Sequence, residues 1–471
     1  PPRLSSHPVN AIVWNETGIL IIACTGVLFT IWSGFSQYRA LTHGSRVVRG
    51  VYDDPDDPGA INHFQALSAA LSGTVGLGNI GGVALAITLG GPGAIFWMWV
   101  VAAIGMATAY AESSLAQLYK IRDQNGQLRG GPAFYISKGL KAPWAGAVFS
   151  LALILAFGLV FNAVQANSIA GAMEGAFGID TNVTGIVIML LAALVIFGGI
   201  RKIARFAAIV VPIMAALYLL VALYVIFANI TEVPAAFALI IKSAFGIEQA
   251  AGGVLGAMLN GIKRGLFSNE AGMGSAPNIA AVATPNPHHP ASQGMVQSLG
   301  VFIDTILICT ATALMILLSG ALGNGQTGIV LTQTALTTHI GSAGQYFVAI
   351  AIFFFAFTSI IGNYSYAENA LTYLKWANKP GIFILRVLAL AMIPWGAYES
   401  VAMVFNVADA AMGLMATINL IAIVMLSGLV VKLTKDYFTQ LKTHTPVFKS
   451  EDYPEVREDI DLSVWDEKPN K

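Results

Sequence analysis

Long apolar stretches recur along the chain and are separated by short polar segments. Because about 20 apolar residues in a helix cross the hydrocarbon core of a bilayer, this pattern indicates membrane-spanning helices. We predict eleven spans, at about 16–36, 62–89, 92–120, 142–175, 182–200, 205–228, 249–283, 291–320, 343–374, 381–404 and 412–433. The pattern therefore predicts an all-α polytopic membrane protein rather than a series of soluble domains.

The composition agrees with this interpretation. Of the 471 residues, 56% are hydrophobic and only 11% are charged, whereas about 25% are charged in a typical soluble domain. The formal net charge is zero, so nothing points to nucleic acid as a partner. Cys24 and Cys309 both lie inside apolar stretches, which indicates packing residues rather than a disulfide or a metal site.

Basic residues are concentrated in alternate loops. With eleven spans, all of these loops lie on one side of the membrane, and the positive-inside rule assigns that side to the cytoplasm. We therefore expect the N-terminus outside, the C-terminus inside and a location in the inner membrane of the cell. The basic positions are Arg39, Arg46, Arg49, Lys120, Arg122, Arg129, Lys138, Lys141, Arg201, Lys202, Arg205, Lys375 and Lys379.

Glycine-rich segments interrupt two of the spans, at Ser72–Gly82 and at Phe267–Pro277. Each contains Gly-x-Gly followed by a small polar residue, in Gly76–Asn79 and in Gly272–Ser275. Five spans separate the starts of the two segments, so the two helices run antiparallel. This is the pattern of an inverted repeat with discontinuous helices, in which each half contributes one broken helix to a binding site.

The unwound backbone explains why such segments bind ligands. Free N–H and C=O groups are tolerated at membrane depth only where they face protein or a polar cavity. Freed N–H groups suit a carboxylate, and freed carbonyls suit a dehydrated cation. Glycine can also serve close helix packing alone, but two matched segments with clustered polar residues favour a site.

A third polar element lies in the apolar span 343–374. Thr358 and Ser359 could donate hydrogen bonds to their own helix backbone, or they could offer uncharged oxygens to a monovalent cation. Asn363 lies one turn beyond Ser359 and faces the same surface.

Several ionisable residues fall inside the spans. Glu112, Glu174, Glu368 and Glu399 lie near span ends, where snorkelling to the interface is expected. Glu270 lies at the second break, so we expect it to cap free N–H groups or to pair with Lys263, with direct contact to a substrate amine as the alternative. For Asp304 we expect a bracing role, and for His288 and His289 a solvated loop. The polar segment from about 435 is expected to be loosely ordered.

At these residues the chain resembles the alanine/glycine:cation symporter family, the sodium:alanine symporters. The most specific matches are Ser72–Gly82, Asn269–Asn278, Gln165–Ala170 and Asp409–Met415. The resemblance implies the leucine-transporter (LeuT) fold, with two inverted five-helix repeats (5+5) and one extra N-terminal helix. It divides the chain into the extra helix and loop (1–61), the first repeat (62–228), the second repeat (229–434) and a cytoplasmic tail (435–471).

The resemblance also implies which residues bind substrate and ion. A small neutral amino acid would contact the backbone of both breaks, and Gln165 would add a side-chain contact. The implied substrate residues are Thr74, Val75, Gly76, Gly78, Gln165, Phe267, Glu270, Gly272, Met273, Gly274 and Asn363. The implied sodium ligands are Ser72, Val75, Thr358 and Ser359. A further sodium site would match Thr74, Asn79 and Ser268.

Function follows from the same resemblance, which implies sodium-coupled import of alanine or glycine by alternating access, with sodium co-transported and no organic cofactor. Many members have tryptophan where this chain has Asn363, so a larger or more polar substrate such as glutamine is an alternative. A proton-coupled symporter is another. The chain lacks common hydrolase and phosphate-loop motifs, so we do not expect an enzyme. Lipid surrounds the protein, and a monomer is favoured.

Overall fold

Helices form nearly all of the structure, a computed structural model that describes residues 10, 13–53, 62–198, 200–246 and 253–465. The one short hairpin in these ranges pairs β1 (Ile121–Arg122) with antiparallel β2 (Leu128–Arg129). The first-half helices are α1 (Glu16–Trp32), α2 (Ser36–Val48), α3 (His63–Thr74), α4 (Gly78–Gly90), α5 (Ala94–Leu118), α6 (Pro132–Gly139), α7 (Pro143–Phe177), α8 (Thr181–Gly198) and α9 (Ile200–Ala228). The second-half helices are α10 (Val233–Ala244), α11 (Gly253–Asn269), α12 (Ala276–Val282), α13 (Pro290–Ser319), α14 (Gly328–Ile340), α15 (Ala343–Tyr373), α16 (Lys379–Tyr398), α17 (Val401–Met425), α18 (Ser427–Gln440) and α19 (Leu462–Trp465).

Each predicted span overlaps a helix or a broken helix. Within the described ranges, 7 helices are long and apolar enough to cross a membrane, or up to 10 if each bent pair forms one span. The count of eleven spans and the orientation remain predictions. The last span was placed too late, since α17 already begins at Val401. The short helices α6, α10 and α14 lie outside the predicted spans.

The first glycine-rich segment breaks a helix, as predicted. A capping box of Asn62 and Gln65 begins α3, and the axes of α3 and α4 differ by 54°. Between them Val75 adopts an extended conformation. The segment Gly78–Gly82 then forms a π-helical turn, a feature that is frequent at functional sites.

The second segment is also broken, between the end of α11 at Asn269 and the start of α12 at Ala276. Gly272 and Gly274 have φ angles of 88° and 83°, in the left-handed region that glycine adopts without a steric cost. Glu270 has a φ of 58° as well, which is uncommon for a residue with a side chain. Several residues with left-handed backbone conformations therefore interrupt the helix here.

The segment after α18 packs against the bundle. Phe448, Tyr453 and Trp465 are buried, and the Trp465 indole N–H donates to the Leu118 carbonyl at 3.1 Å. The expectation of a loosely ordered tail is therefore wrong for the residues up to 465, because these three aromatic side chains anchor it. The boundary predicted at residue 435 also falls inside α18.

His289 lies just before α13, where a solvated loop was expected. It is fully buried and lies 3.3 Å from an Asp436 carboxylate oxygen, so the expectation of a solvated side chain is wrong. Burial lowers the pKa of His289, although Asp436 acts in the opposite direction. His289 also begins α13, where its Nδ1 accepts the Ala291 N–H at 3.1 Å. The residue therefore joins the start of α13 to α18.

Candidate functional site

The two broken helices meet near the centre of the bundle. A β-carbon built on Gly78 would lie 2.8 Å from the Ser268 Cα and 3.3 Å from a Phe267 ring carbon. The first break therefore approaches the end of α11 at van der Waals distance. This places Gly78, Phe267 and Ser268, all expected site residues, in one cluster.

The residues expected to hold a cation also lie together. The Ser359 hydroxyl lies 3.2 Å from the Ser72 carbonyl oxygen and 3.1 Å from that of Gly73. The Thr358 hydroxyl lies 3.4 Å from the Ser72 oxygen. Both hydroxyls are also within hydrogen-bond distance of the Phe355 carbonyl of their own helix. Oxygens of α3 and α15 thus converge beside Val75, where α3 ends.

Gly76 occupies the space between these hydroxyls and α7. Its N–H donates to the Asn79 Oδ1 at 2.8 Å. A β-carbon on Gly76 would lie 3.0 Å from the Ser359 hydroxyl and 3.4 Å from the Gln165 Oε1. That Gln165 oxygen is buried and has no hydrogen-bond partner within the described part of the chain. The structure therefore brings Gly76, Gln165 and Ser359 together around an unsatisfied acceptor.

Aromatic rings cover this cluster. Phe267 stacks on Phe161 with ring centroids 4.9 Å apart and contacts Phe405 at 5.5 Å. The Arg264 guanidinium lies 4.9 Å from the Phe405 ring centroid and forms an ion pair with Asp409. Phe267 was expected at the site, whereas Phe161 and Phe405 were not, because single aromatic residues in apolar spans carry no distinguishing signal.

Asn363 takes part in a buried pair of amides. Its Nδ2 donates to the Asn162 Oδ1 at 3.2 Å, and both side chains are 1% exposed. Asn162 follows Phe161 and lies on α7 three residues before Gln165. This hydrogen bond thus connects Asn363 to α7, the helix that also carries Gln165.

At the second break, protein side chains already bind the backbone. The Gly272 N–H donates to the Glu112 Oε1 at 2.9 Å, and the Gly272 carbonyl accepts from the Asn419 Nδ2 at 2.9 Å. Asn419 also donates to the Glu112 Oε2 at 2.7 Å. Glu112 is fully buried, so the expectation that it snorkels to the interface is wrong. It lies close to the end of α5, but it binds the unwound segment instead of water.

Glu270 does not pair with Lys263, so that expectation is wrong. It is 3% exposed and accepts a hydrogen bond from the Ser275 hydroxyl. The Lys263 Nζ lies 3.9 Å from the Asp409 Oδ2 instead. Met273 is buried, and its N–H donates to the Glu270 carbonyl at 3.0 Å. A β-carbon on Gly274 would lie 2.7 Å from Phe149 and from Pro132. Contacts to other parts of the protein thus surround Gly272 and Gly274.

The residues expected for a further sodium site converge on Asp304. The Asn79 Nδ2 donates to the Asp304 Oδ1 at 2.7 Å, and the Ser268 hydroxyl donates to the Asp304 Oδ2 at 2.7 Å. The Thr305 hydroxyl donates to the same Oδ2 at 2.8 Å, and the Thr74 side chain faces the carboxylate as well. From the sequence, Asp304 was expected to brace the bundle, or to titrate if the transporter were coupled to protons.

Comparison with known proteins is consistent with this geometry. The family model described as "Sodium:alanine symporter family" matches residues 4–450. The chain belongs to the sodium:alanine symporter family. Members of this family are transporters rather than enzymes, and the family and its bacterial relatives place the chain in the inner membrane as a multi-pass protein.

Named relatives cover almost the whole chain. The amino-acid carrier protein AlsT of Bacillus subtilis is 46% identical over 97% of this chain and 96% of its own. The "Probable sodium/glutamine symporter GlnT" of the same organism is 47% identical over 93% of this chain and 91% of its own. The sodium/alanine symporter AgcS of Methanococcus maripaludis is 40% identical over 92% of this chain and 96% of its own.

Solved structures share the fold of this chain. MhsT in complex with L-phenylalanine superposes with a TM-score of 0.53 at 17% identity and covers 87% of this chain and 94% of its own. A manganese transporter of Eremococcus coleocola superposes with a TM-score of 0.57 at 13% identity and covers 84% of this chain and 90% of its own. Both likenesses concern the fold alone and agree with the LeuT architecture that the family resemblance implied.

Proposed function

We propose that this protein is a sodium-coupled symporter that imports a small neutral amino acid by alternating access. The observation that carries the proposal is the convergence of two broken helices, one from each half of the chain. Around their contact lie the hydroxyls of Thr358 and Ser359 on the Ser72 carbonyl and the unsatisfied oxygen of Gln165. Sodium use is supported by the family and by relatives named as sodium symporters.

The substrate lies, in this proposal, between Gly76, Gln165 and the ring of Phe267. The backbone of the first break, from Thr74 to Gly78, receives the carboxylate, since unwound N–H groups suit an anion. The Gln165 oxygen receives the ammonium group, because an acceptor that is buried without a partner is costly until a donor arrives. Phe267, near the end of α11, closes the site from the side of the second break, whereas the Gly272 backbone is bound by Glu112 and Asn419.

The sodium ion lies between α3 and α15. The carbonyl oxygens of Ser72 and Val75 and the hydroxyls of Thr358 and Ser359 would provide uncharged oxygen ligands, which suit a hard monovalent cation. In this arrangement the ion joins a broken helix to an unbroken one. Sodium binding therefore stabilises the conformation in which Gly76 and Gln165 face each other.

Glutamine is the second candidate substrate. The buried amide pair of Asn162 and Asn363 lies next to Phe161 and could bind the amide of a glutamine side chain. One relative carries the printed name of a sodium/glutamine symporter. Alanine, with no polar side chain, would gain nothing from these amides.

A binding experiment on purified protein separates the two substrates. Affinities for alanine and glutamine are measured at saturating sodium for the natural protein and for Asn363→Ala. If glutamine is the substrate, the variant weakens glutamine binding by roughly tenfold or more, as expected for a lost buried hydrogen bond, and leaves alanine binding unchanged. Asn369→Ala is the matched control, since Asn369 is a buried asparagine on the same helix that binds Gly130 and Asn278 instead.

Proton coupling is the remaining alternative, because Glu270 and Asp304 are buried carboxyl groups that could carry a proton. Uptake driven by a pH step without sodium would favour it. Uptake that follows sodium at constant pH favours the proposal.

A further inference from the structure

The segment after α18 crosses one face of the bundle and binds both halves of the chain. This face carries the end of α5, the loop between α12 and α13 and the start of α7, and the sequence predicts that it is cytoplasmic. We call residues 448–465 the strap. The Phe448 N–H donates to the His288 carbonyl at 2.8 Å, and the Trp465 indole N–H donates to the Leu118 carbonyl at 3.1 Å. The strap therefore connects a loop of the second half to a helix of the first half.

An aromatic cluster holds the strap in place. The Trp465 ring centroid lies 5.1 Å from that of His288 and 5.0 Å from that of Phe448. Phe448 in turn contacts Tyr453 at 4.8 Å, and the Lys120 Nζ lies 4.9 Å from the centroid of the Trp465 ring. All three aromatic residues of the strap are buried. Because large aromatic side chains bury much apolar surface, this cluster is the main anchor of the strap.

Polar contacts attach the strap to two further elements. On α18, the Lys432 Nζ donates to the Asp452 carbonyl and lies 2.7 Å from a Glu455 carboxylate oxygen. Beside α7, Asp459 pairs with Lys141, two residues before that helix begins. Exposed ion pairs of this kind contribute little to stability, so they guide the strap more than they hold it. The strap is thus bound to α5, to α18, to the loop before α13 and to the chain just before α7.

We propose that the strap is an autoinhibitory contact that holds the predicted cytoplasmic face closed and slows its opening. This inference rests on the proposed function, because alternating access requires one part of the bundle to move against another. Movement among α5, α7, α18 and the loop before α13 stretches a strap that is bound to all four. Opening then requires Trp465 to leave its cluster, so a weaker strap leaves this face open for a larger fraction of the time.

Hydrogen–deuterium exchange of the purified full-length protein in lipid nanodiscs, at saturating sodium and without amino acid, tests the proposal. The amides of α3 and α12 are compared, because each helix leads from a break to this face and neither provides a strap contact named above. We expect Trp465→Ala to raise their exchange rates roughly threefold or more, since exchange follows the fraction of open protein. Trp465→Phe keeps an aromatic ring and should raise them less. Trp144→Ala is the matched control, because Trp144 lies at the start of α7 and is 73% exposed.

Two results would overturn the proposal. One is unchanged exchange in α3 and α12 of the Trp465→Ala protein. The other is faster exchange confined to the strap and its contacts, which would show an anchor without influence on opening.

A milder variant covers the case in which Trp465→Ala does not fold. Lys432→Gln with Asp459→Asn removes the polar contacts of the strap and keeps its aromatic cluster. This variant should still raise exchange in α3 and α12, and no increase there would overturn the proposal as well. Sodium-driven uptake is measured separately in proteoliposomes, so a failure of uptake together with faster exchange would count against the proposed function and support the strap.

Discussion

Gly78 and Ser268 lie so close together that a β-carbon on Gly78 would stand 2.8 Å from the Ser268 Cα. Gly78 begins α4 directly after the first break, and Ser268 lies one residue before the end of α11, where the second break begins. The backbones of the two halves therefore pack directly against each other here, which leaves no room for a side chain at position 78. This contact lies beside the candidate substrate and ion sites.

The hydroxyls on α15 give the first prediction. Replacing both by Thr358→Ala and Ser359→Ala removes two of the proposed ligands. Since each hydroxyl would coordinate the ion through an oxygen lone pair, the sodium concentration for half-maximal uptake should rise at least roughly tenfold, which corresponds to about 1.4 kcal/mol. Protein abundance should change little.

The control for that pair is Thr88→Ala. The Thr88 hydroxyl donates to the Ala84 carbonyl of its own helix at 2.8 Å, so it tests the loss of a backbone contact alone. Sodium activation that is normal in the double variant would remove the proposed cation site at Ser72.

Gly76 gives the second prediction. Gly76→Leu places a side chain in the space between Ser359 and Gln165, so amino-acid binding should be lost while the folded protein is retained. Binding of labelled amino acid and the melting temperature are measured on the same sample. Retained binding would show that this glycine serves helix packing only.

Gly272→Leu should behave differently. Gly272 has a φ of 88°, and its β-carbon would lie 2.9 Å from Leu420 and 3.0 Å from Thr108. We therefore expect a lower melting temperature or little folded protein. A stable Gly272→Leu protein that lacks only substrate binding would contradict this account and return Gly272 to the substrate cluster.

Glu112 gives the third prediction. Glu112→Ala leaves the Gly272 N–H and one of the two Asn419 Nδ2 hydrogens without an acceptor, and each unsatisfied buried group costs about 1–3 kcal/mol. The melting temperature should fall by several degrees. Glu174→Ala is the control, because Glu174 is exposed on α7 and surface changes usually stay within about 0.5 kcal/mol. Equal effects of the two variants would refute the structural role of Glu112.

The pH dependence of stability gives the fourth prediction. Burial lowers the pKa of His289 below its ordinary 6.5, against the opposing effect of Asp436. Below pH 6.5 the unfolded chain therefore binds a proton that the folded chain does not, so stability present above pH 6.5 is lost as the pH falls. The melting temperature should decrease between pH 7 and pH 5. His289→Asn keeps an N-cap acceptor and should flatten this decrease, whereas an unchanged slope would exclude His289 as its source.

The sequence predicted the helix breaks because a glycine-rich pattern inside an apolar span has few alternatives. Gly76 and Gly272 both fall at breaks, and Thr358 and Ser359 do face Ser72. The glycine pattern could not show in which break side chains already bind the backbone N–H and C=O groups. Glu112 and Asn419 bind the N–H and the carbonyl of Gly272. Both residues are far from Gly272 in sequence, so only the fold brings the three together.

The residues that surround the site were harder to predict for related reasons. Phe161 and Phe405 resemble the many other aromatic residues of the spans. The charge of Asp304 was visible, but its partners come from three helices. The anchoring of the tail by Trp465 was hidden by the polar composition around it, which is typical of disordered segments.

Uptake of labelled alanine and glutamine into proteoliposomes tests the central claim most directly. An inward gradient of sodium or of potassium is imposed at a fixed pH, and accumulation above equilibrium is measured. The account predicts accumulation of one of these amino acids with the sodium gradient only. Accumulation that ignores sodium and follows a pH step would contradict it.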